Sequence, residues 1–340
     1  MDRRQFGQVV IAAGAASLAA PAIRSSSAAT AKNVEDIPVI LECAVVGGTT
    51  KKVNPNAPET VDEHIAEIST ALDAGATIVH SHSNRPNEDP IAAAKAYMEV
   101  YGPVRKKYPH AILYPTANFD PATYAKNRKV WPAKVQSGHY RPLAEAGLAN
   151  MILLDTGVAP LAGFGDDGFI ANPDKFWWYG FYPDDTKIVT DVCKEFGCGA
   201  SVSVFEPGWM KNVVAMAKAG TLPRGSKLNI YFAPESFGAM APPVPEALEL
   251  YLKMMEGLDL KWSVGCIGSP SVMDTPLTQM AMERGGSFRV GLEDWMTGPS
   301  NQEQLARAKE IIAAAGRRVV NGPDAIEYLD IPFPATRPKG

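Results

Sequence analysis

Two histidines and one acidic residue have the side-chain types and spacing of a catalytic metal site. Residues 76–83 read ATIVHSHS, an apolar run that ends in His80 and His82. Residues 289–294 read RVGLED, a second apolar run that reaches Glu293. Catalytic zinc sites take three imidazole or carboxylate ligands from the protein and leave one position open for water or substrate. The pattern therefore predicts a metal-dependent enzyme.

The positions of His80 and His82 favour a shared ion. Side chains two apart in a strand point to the same face, which in a closed barrel is the barrel axis. Two neutral imidazoles about 6 to 7 Å apart along the strand can bind one Zn²⁺ there, with Glu293 as the third ligand. The alternative is that both histidines are hydrogen-bonded core residues, while Glu293 and Asp294 cap a helix.

Strand-like and helical patterns alternate eight times, which predicts an α/β protein with the (β/α)8 TIM-barrel fold. In that fold, active sites lie at the C-terminal ends of the strands, and the first strand lies between the second and the eighth. The metal-binding residues could therefore meet across the first strand. The predicted strands are 38–46, 77–82, 111–116, 151–155, 200–205, 227–232, 262–267 and 287–293. The predicted helices are 61–74, 90–107, 183–196, 208–219, 245–256, 274–284 and 301–315.

Glu42 is a charged residue in the otherwise apolar first strand. A charged side chain is rarely buried without a partner. It could form an outward salt bridge, or it could point inward to contact substrate or the groups around the metal. We favour the inward position.

The first 31 residues predict a targeting segment. Arg3 and Arg4 form a twin-arginine pattern, and a weakly apolar run from Val9 to Ala22 leads to small-residue cleavage sites near Ala29 or Ala31. The run is too short for an ordinary membrane anchor. A twin-arginine (Tat) signal peptide implies that residues 32–340, a single barrel domain, are exported to the periplasm.

Composition fits one globular domain of 340 residues, 46% of them hydrophobic. The net charge of −4 argues against a nucleic-acid partner. The aromatic segment 157–185 predicts a homo-oligomer contact or an active-site cover, with core packing as an equal alternative.

Four cysteines do not make a disulfide framework in a chain of this length. Cys193 and Cys198 flank a predicted helix end, and whether they pair is left open.

Three sequence blocks resemble the β-keto acid cleavage enzymes, whose founding activity is 3-keto-5-aminohexanoate cleavage. They read GATIVHSH from Gly75, FEPG at 205–208 and GGSFRVGLED at 285–294, of which the last is the most specific. The resemblance covers nearly all of the chain after the signal segment. It implies a zinc-dependent enzyme in which a β-keto acid and an acyl-CoA exchange fragments, giving acetoacetate and a new acyl-CoA.

The same resemblance assigns roles to individual residues. His80, His82 and Glu293 would be the zinc ligands, and Arg289 and Asp294 the catalytic pair. Asp294 could act as general base at the carbon between the two carbonyl groups, while Arg289 orients it and holds the anionic substrate. In the YPTAN sequence, Thr116 matches the hydroxyl position that donates to a developing oxyanion.

Two departures from the family pattern concern the substrate. Asn84 stands where the family commonly has an arginine, and Arg85 follows it. The fifth strand reads Ser201-Val202-Ser203, where an acid for an amino substituent would be expected. Both departures argue against an amino-substituted substrate, and we expect Arg85 and Ser203 to contact whatever substrate binds.

The export signal bears on the acceptor, because free coenzyme A is not expected in the periplasm. One alternative is therefore a CoA-independent, metal-dependent hydrolase or lyase. A hydrolase of the amidohydrolase type would normally supply further histidines at later strand ends, and the sequence has none after His139. Another alternative is a non-catalytic periplasmic protein that binds a carboxylate through the metal.

Overall fold

Strands and helices alternate along the chain as the sequence pattern predicts. The computed structural model describes residues 33–83, 85, 89–118, 133–169, 177–268 and 271–332, and the predicted signal peptide lies outside them. The strands are β1 (Glu42–Val46), β2 (Ile78–Ser81), β3 (Ile112–Pro115), β4 (Met151–Asp155), β5 (Val158–Leu161), β6 (Trp177–Gly180), β7 (Gly199–Val204), β8 (Lys227–Phe232), β9 (Lys261–Cys266) and β10 (Ser287–Val290). The helices are α1 (Val61–Asp73), α2 (Pro90–Lys107), α3 (Ala133–Gln136), α4 (Tyr140–Glu145), α5 (Pro183–Phe196), α6 (Pro207–Lys218), α7 (Pro245–Met254), α8 (Pro276–Glu283), α9 (Asn301–Ala314) and α10 (Gly322–Leu329), with short 3₁₀ turns at Val34–Asp36 and Val272–Asp274.

Eight of these strands form one parallel sheet in the order β3-β2-β1-β10-β9-β8-β7-β4, while β5 and β6 form a separate antiparallel hairpin. Among the described residues no backbone ladder joins the two edges, β3 and β4. The side chain of Asn150 joins them instead. Its Oδ1 accepts from the Leu113 amide at 3.0 Å, and its Nδ2 donates to the Ala111 carbonyl at 3.1 Å. The sheet is thus a nearly closed barrel, and the predicted (β/α)8 fold is confirmed.

The strands pack their outer faces against the helices. Ile68 on α1, Tyr101 on α2 and Leu305 on α9 are completely buried in the resulting apolar layer. Capping boxes begin α1 and α9, where Thr60 and Ser300 accept from the backbone amides of Glu63 and Glu303. Caps of this kind contribute about 1 kcal/mol each.

The chain after β10 departs from the prediction that the strand runs to residue 293. The strand ends at Val290, and Gly291 has a φ of +135°. A Cβ atom at Gly291 would lie 2.1 Å from the Ala44 carbonyl oxygen, so a residue with a side chain does not fit this turn. Glu293 therefore lies in a turn, where its amide donates to the Ala44 carbonyl at 3.2 Å.

The described part of the aromatic segment contributes to the core. Phe181 is buried, and the Tyr179 ring stacks on Phe205 with centroids 5.4 Å apart. Residues 170–176 lie outside the described residues, and the oligomer contact stays a prediction. The described helices include none that is both long and apolar enough to span a bilayer.

Cys193 and Cys198 are buried and not joined by a disulfide in this structure. Each thiol lies 3.5 Å from a backbone carbonyl oxygen, of Gly199 and Ala149 respectively.

Candidate active site

The three predicted metal ligands converge at the C-terminal end of the barrel. His80 lies on β2, His82 follows that strand, and Glu293 lies in the turn after β10. His80 Nε2 is 3.1 Å from Glu293 Oε2, and His82 Nε2 is 2.8 Å from Glu293 Oε1. Ligand atoms from all three residues lie within 4.8 Å of one another. Neighbouring β1 brings them together, because it pairs with both β2 and β10.

Hydrogen bonding fixes which nitrogen of His80 carries the proton. Its Nδ1 lies 3.2 Å from the Tyr114 carbonyl oxygen, which can only accept, so Nδ1 is the donor and Nε2 presents a lone pair to Glu293. Burial lowers the pKa of His80 and so favours the neutral ring. Burial opposes ionisation of Glu293 too, but its pKa lies well below the usual value, and the positive charge of Arg289 is the largest cause that lowers it.

A lone pair and a carboxylate oxygen 3.1 Å apart repel each other unless a cation lies between them. The donor set of His80, His82 and Glu293 therefore fits a divalent metal ion, and the Nδ1 bond to Tyr114 orients the His80 ring as outer contacts commonly do at metal sites.

Arg289 and Asp294 form a buried pair next to these ligands. Arg289 Nε donates to Asp294 Oδ2 at 2.9 Å, and its Nη2 donates to Oδ1 at 2.8 Å. Nη2 also contacts Glu293. Burial raises the pKa of Asp294 to about 6, although Arg289 opposes the shift. A carboxylate with a pKa near the working pH can both accept and return a proton.

Glu42 points into the barrel and holds Arg289 from below. Its Oε1 accepts from Arg289 Nη1 at 3.2 Å and from the Tyr114 hydroxyl, while Oε2 accepts from Lys227. Burial opposes its ionisation, but Lys227 and Arg289 outweigh that effect and lower the pKa of Glu42 to about 2. The outward salt bridge does not form, and direct contact of Glu42 with substrate stays a prediction.

Lys227 and Asn229 belong to this network, and sequence reasoning missed both. Lys227 Nζ donates to Asn229 Oδ1 at 2.6 Å, and Asn229 Nδ2 donates to Ser201 Oγ at 3.1 Å. Both residues are completely or almost completely buried. The available signal was two polar residues at alternate positions in the strand KLNIYF, which period two places on one face.

Thr116 and Ser203 are both buried near the ends of their strands. Thr116 follows β3, and its carbonyl accepts from His139 Nε2 at 2.9 Å. His139 is completely buried, and its ring lies against that of Tyr140 with centroids 4.3 Å apart. Ser203 on β7 is the register partner of Asp155 on β4.

Arg85 is not part of the buried cluster. Its guanidinium pairs with Glu99 on α2, and about half of each side chain is exposed. Asn84 lies outside the described residues. Contact between Arg85 and substrate stays a prediction.

Comparison with known proteins identifies the chain's relatives. The model of the beta-keto acid cleavage enzyme family matches residues 38–331. The 3-oxoadipate:acetyl-CoA acetyltransferase of Cupriavidus necator is 26% identical over 304 residues, covering 87% of this chain and 95% of that protein. The 3-keto-5-aminohexanoate cleavage enzyme of Acetoanaerobium sticklandii is 24% identical over 311 residues, covering 86% and 98%. The apo structure of ObcA shares the fold, with a TM-score of 0.59 and 16% identity over 82% of this chain and 66% of its own.

Proposed function

The chain belongs to the beta-keto acid cleavage enzyme family, and from that premise we propose that it cleaves a β-keto carboxylate by retro-Claisen acyl transfer, with zinc bound by His80, His82 and Glu293. The observation that carries the proposal is the convergence of this ligand set with the Arg289–Asp294 pair at one barrel mouth. The names of the relatives support the reaction class, since they describe cleavage and acetyl transfer on keto acids.

Each residue has a task in this reaction. Zinc, when bound, would supply a Lewis acid for the oxygens of the β-keto carboxylate. Asp294 removes a proton from the carbon between the two carbonyl groups, and Arg289 holds Asp294 in place through two hydrogen bonds. Thr116 donates a hydrogen bond to the oxygen on which negative charge develops. Glu42 orients Arg289 from the opposite side.

The acyl transfer conserves all fragments. The deprotonated carbon attacks the carbonyl of an acyl thioester, and the thiolate leaves. The thiolate then attacks the original keto carbon, the old carbon–carbon bond breaks, and Asp294 returns its proton to the departing keto acid. The products are a new β-keto acid and a new acyl thioester.

A second candidate is cleavage without coenzyme A, and the twin-arginine pattern at Arg3 and Arg4 favours it. If residues 1–31 export the protein to the periplasm as we propose, water replaces the thiolate as the attacking group. The same residues would then act on the keto acid, and the products would be two carboxylic acids.

One experiment separates these possibilities. The zinc-loaded protein is incubated with a panel of β-keto acids, with and without acetyl-CoA, and the products are measured by mass spectrometry. New acyl-CoA and acetoacetate would support acyl transfer, whereas two carboxylates formed without CoA would support hydrolysis. If none of the acids is consumed under either condition, while zinc is bound, the proposed function is wrong.

A further inference from the structure

A further acidic residue, besides Glu42, Glu293 and Asp294, faces the interior of the barrel mouth. Asp155 is the last residue of β4 and pairs in register with Ser203 on β7. Leu153 and Ser201 form the register pair two residues earlier, and Ser201 contacts the interior residue Asn229. Because side chains alternate along a strand, Asp155 and Ser203 point inward as well, one layer nearer the mouth.

The carboxyl group of Asp155 lies within reach of the site. β4 is two strands away from β2, which carries His80, and two strand spacings amount to roughly 10 Å around the barrel wall. The negative charge of Glu293 contributes to raising the pKa of Asp155, so the two carboxyl groups interact electrostatically. Thr116 lies at the end of β3, the strand between them.

Asp155 is completely buried, yet neither carboxyl oxygen has a hydrogen-bond partner of full geometry among the described residues. Burial is the largest cause that raises its pKa, to about 7, and the nearby hydroxyls of Ser203 and Tyr179 oppose the shift only in part. Buried polar atoms are normally paired, and an unpaired one calls for an explanation such as a ligand. A buried carboxyl group that, in the described part of the chain, has only the Ser203 and Tyr179 hydroxyls beside it, neither in full hydrogen-bond geometry, can accept a further hydrogen bond from a ligand.

We propose that Asp155 is a specificity-determining residue that accepts a hydrogen bond from a hydroxyl or ammonium group at the far end of the substrate chain. The inference rests on the proposed function, because it places the other end of that substrate at the metal-binding residues. Ser203 lies beside Asp155, and the two side chains together form a polar patch.

The surroundings of Asp155 predict which substrates are rejected. Glu293 and Asp185 both raise its pKa, so the local potential disfavours a second carboxylate such as that of a keto dicarboxylic acid. An apolar chain would offer the buried carboxyl no further hydrogen-bond donor, and sites built to bind a donor group reject analogues that lack it. Neither type of substrate should compete with one that carries a donor.

The test compares four six-carbon β-keto acids on the metal-loaded protein: 5-hydroxy-3-oxohexanoate, 5-amino-3-oxohexanoate, 3-oxohexanoate and 3-oxoadipate. Affinity is measured by calorimetry and turnover by product analysis, for the wild type, Asp155→Asn, Ser203→Ala and Asp191→Asn. Asp191→Asn is the control, because Asp191 is an exposed acid on the outer helix α5 and pairs with Lys187.

We expect the wild type to prefer a donor-substituted acid by about 100-fold over 3-oxohexanoate and 3-oxoadipate. Comparison of the hydroxy and amino acids then identifies the donor group. Asp155→Asn should reduce the preference at least 10-fold and Ser203→Ala should reduce it less, while Asp191→Asn keeps it. Ser203→Ala also tests the patch if Asp155→Asn fails to fold.

Different outcomes overturn different conclusions. Turnover with equal preference for all four acids, or an unchanged preference in Asp155→Asn, overturns the role of Asp155 and leaves the proposed function standing. Selective binding without any turnover overturns the proposed function and supports the role of Asp155. Absence of binding by all four acids overturns both.

Discussion

Arg289 and Asp294 are joined by two nearly parallel hydrogen bonds, from Nε to Oδ2 at 2.9 Å and from Nη2 to Oδ1 at 2.8 Å. The same guanidinium contacts Glu293 through Nη2 and Glu42 through Nη1. One planar group thus orients three carboxylates, which a lysine could not do. The two directional hydrogen bonds from Arg289 therefore fix the orientation of the Asp294 carboxylate, the proposed base.

We predict that Asp294→Asn keeps the bound metal but lowers kcat at least 100-fold, because the amide cannot take a proton from substrate. Turnover and metal content of the same preparation are the measurements. Asp259→Asn is the control, since this acid is 94% exposed and should leave both values unchanged. Full activity in Asp294→Asn would remove Asp294 from the mechanism.

The proposed metal site consists of His80, His82 and Glu293, the one such cluster found among the described residues. We predict about one zinc per chain in the wild type and less than about a tenth of that in His80→Ala or Glu293→Ala. Elemental analysis after dialysis measures the ratio. His110→Ala, which changes a histidine at the α2–β3 junction, should retain the metal. Stoichiometric zinc in both ligand variants would show that the site is assigned wrongly.

Lys227→Met should destabilise the fold by about 3 to 5 kcal/mol, because Glu42 would lose a partner inside the barrel. Urea unfolding of the metal-free protein gives the free energy. The exposed pair Lys187–Asp191 offers the control, and Lys187→Met should cost less than about 0.5 kcal/mol. The double variant Glu42→Gln, Lys227→Met should recover part of the loss. A cost below 1 kcal/mol for Lys227→Met would contradict the network.

The titration of Asp155 predicts how stability varies with pH. Its pKa rises from 3.8 to about 7 on folding, so its contribution is fully present below pH 3.8 and is lost as the pH rises to about 7. The loss is on the order of 4 kcal/mol. The free energy of unfolding is measured with urea at pH 4.5 and 7.5 in the presence of a chelator, for the wild type and for Asp155→Asn. The stability of the wild type relative to the variant should be lower at pH 7.5 than at pH 4.5. A difference that does not change with pH would contradict this assignment.

Periodicity predicted the fold because each barrel strand is a short apolar run between helical patterns. β4, β8 and α2 have the predicted bounds. The convergence of His80, His82 and Glu293 followed from strand ends and barrel order. What the sequence could not provide was the path of the chain at Gly291, which depends on contact with Ala44.

The interior polar residues were harder to recognise for a different reason. Lys227 in an apolar strand resembles an ordinary exposed residue until its partner Glu42 is known, and the two lie 185 positions apart in the chain. In the sequence, Asp155 looks like an ordinary polar residue at the point where a strand ends. Only the register with Ser203 shows that it faces inward.

Asn150 lies at the junction between β3, which Thr116 follows, and β4, which ends in Asp155. Everywhere else around the barrel, main-chain ladders join neighbouring strands. Here, within the described part of the chain, side chains make the link, through two hydrogen bonds of Asn150 and through Arg105, which donates to the carbonyls of Ala111 and Leu148. We expect local opening of the barrel to occur most readily at this junction. The backbone amides of β3 and β4 should then exchange with deuterium sooner than those of β8 and β9. Such opening would change the distance between Thr116, the proposed oxyanion donor, and Asp155, which we propose binds the far end of the substrate. Asn150 would therefore influence the length of the substrate that fits between them.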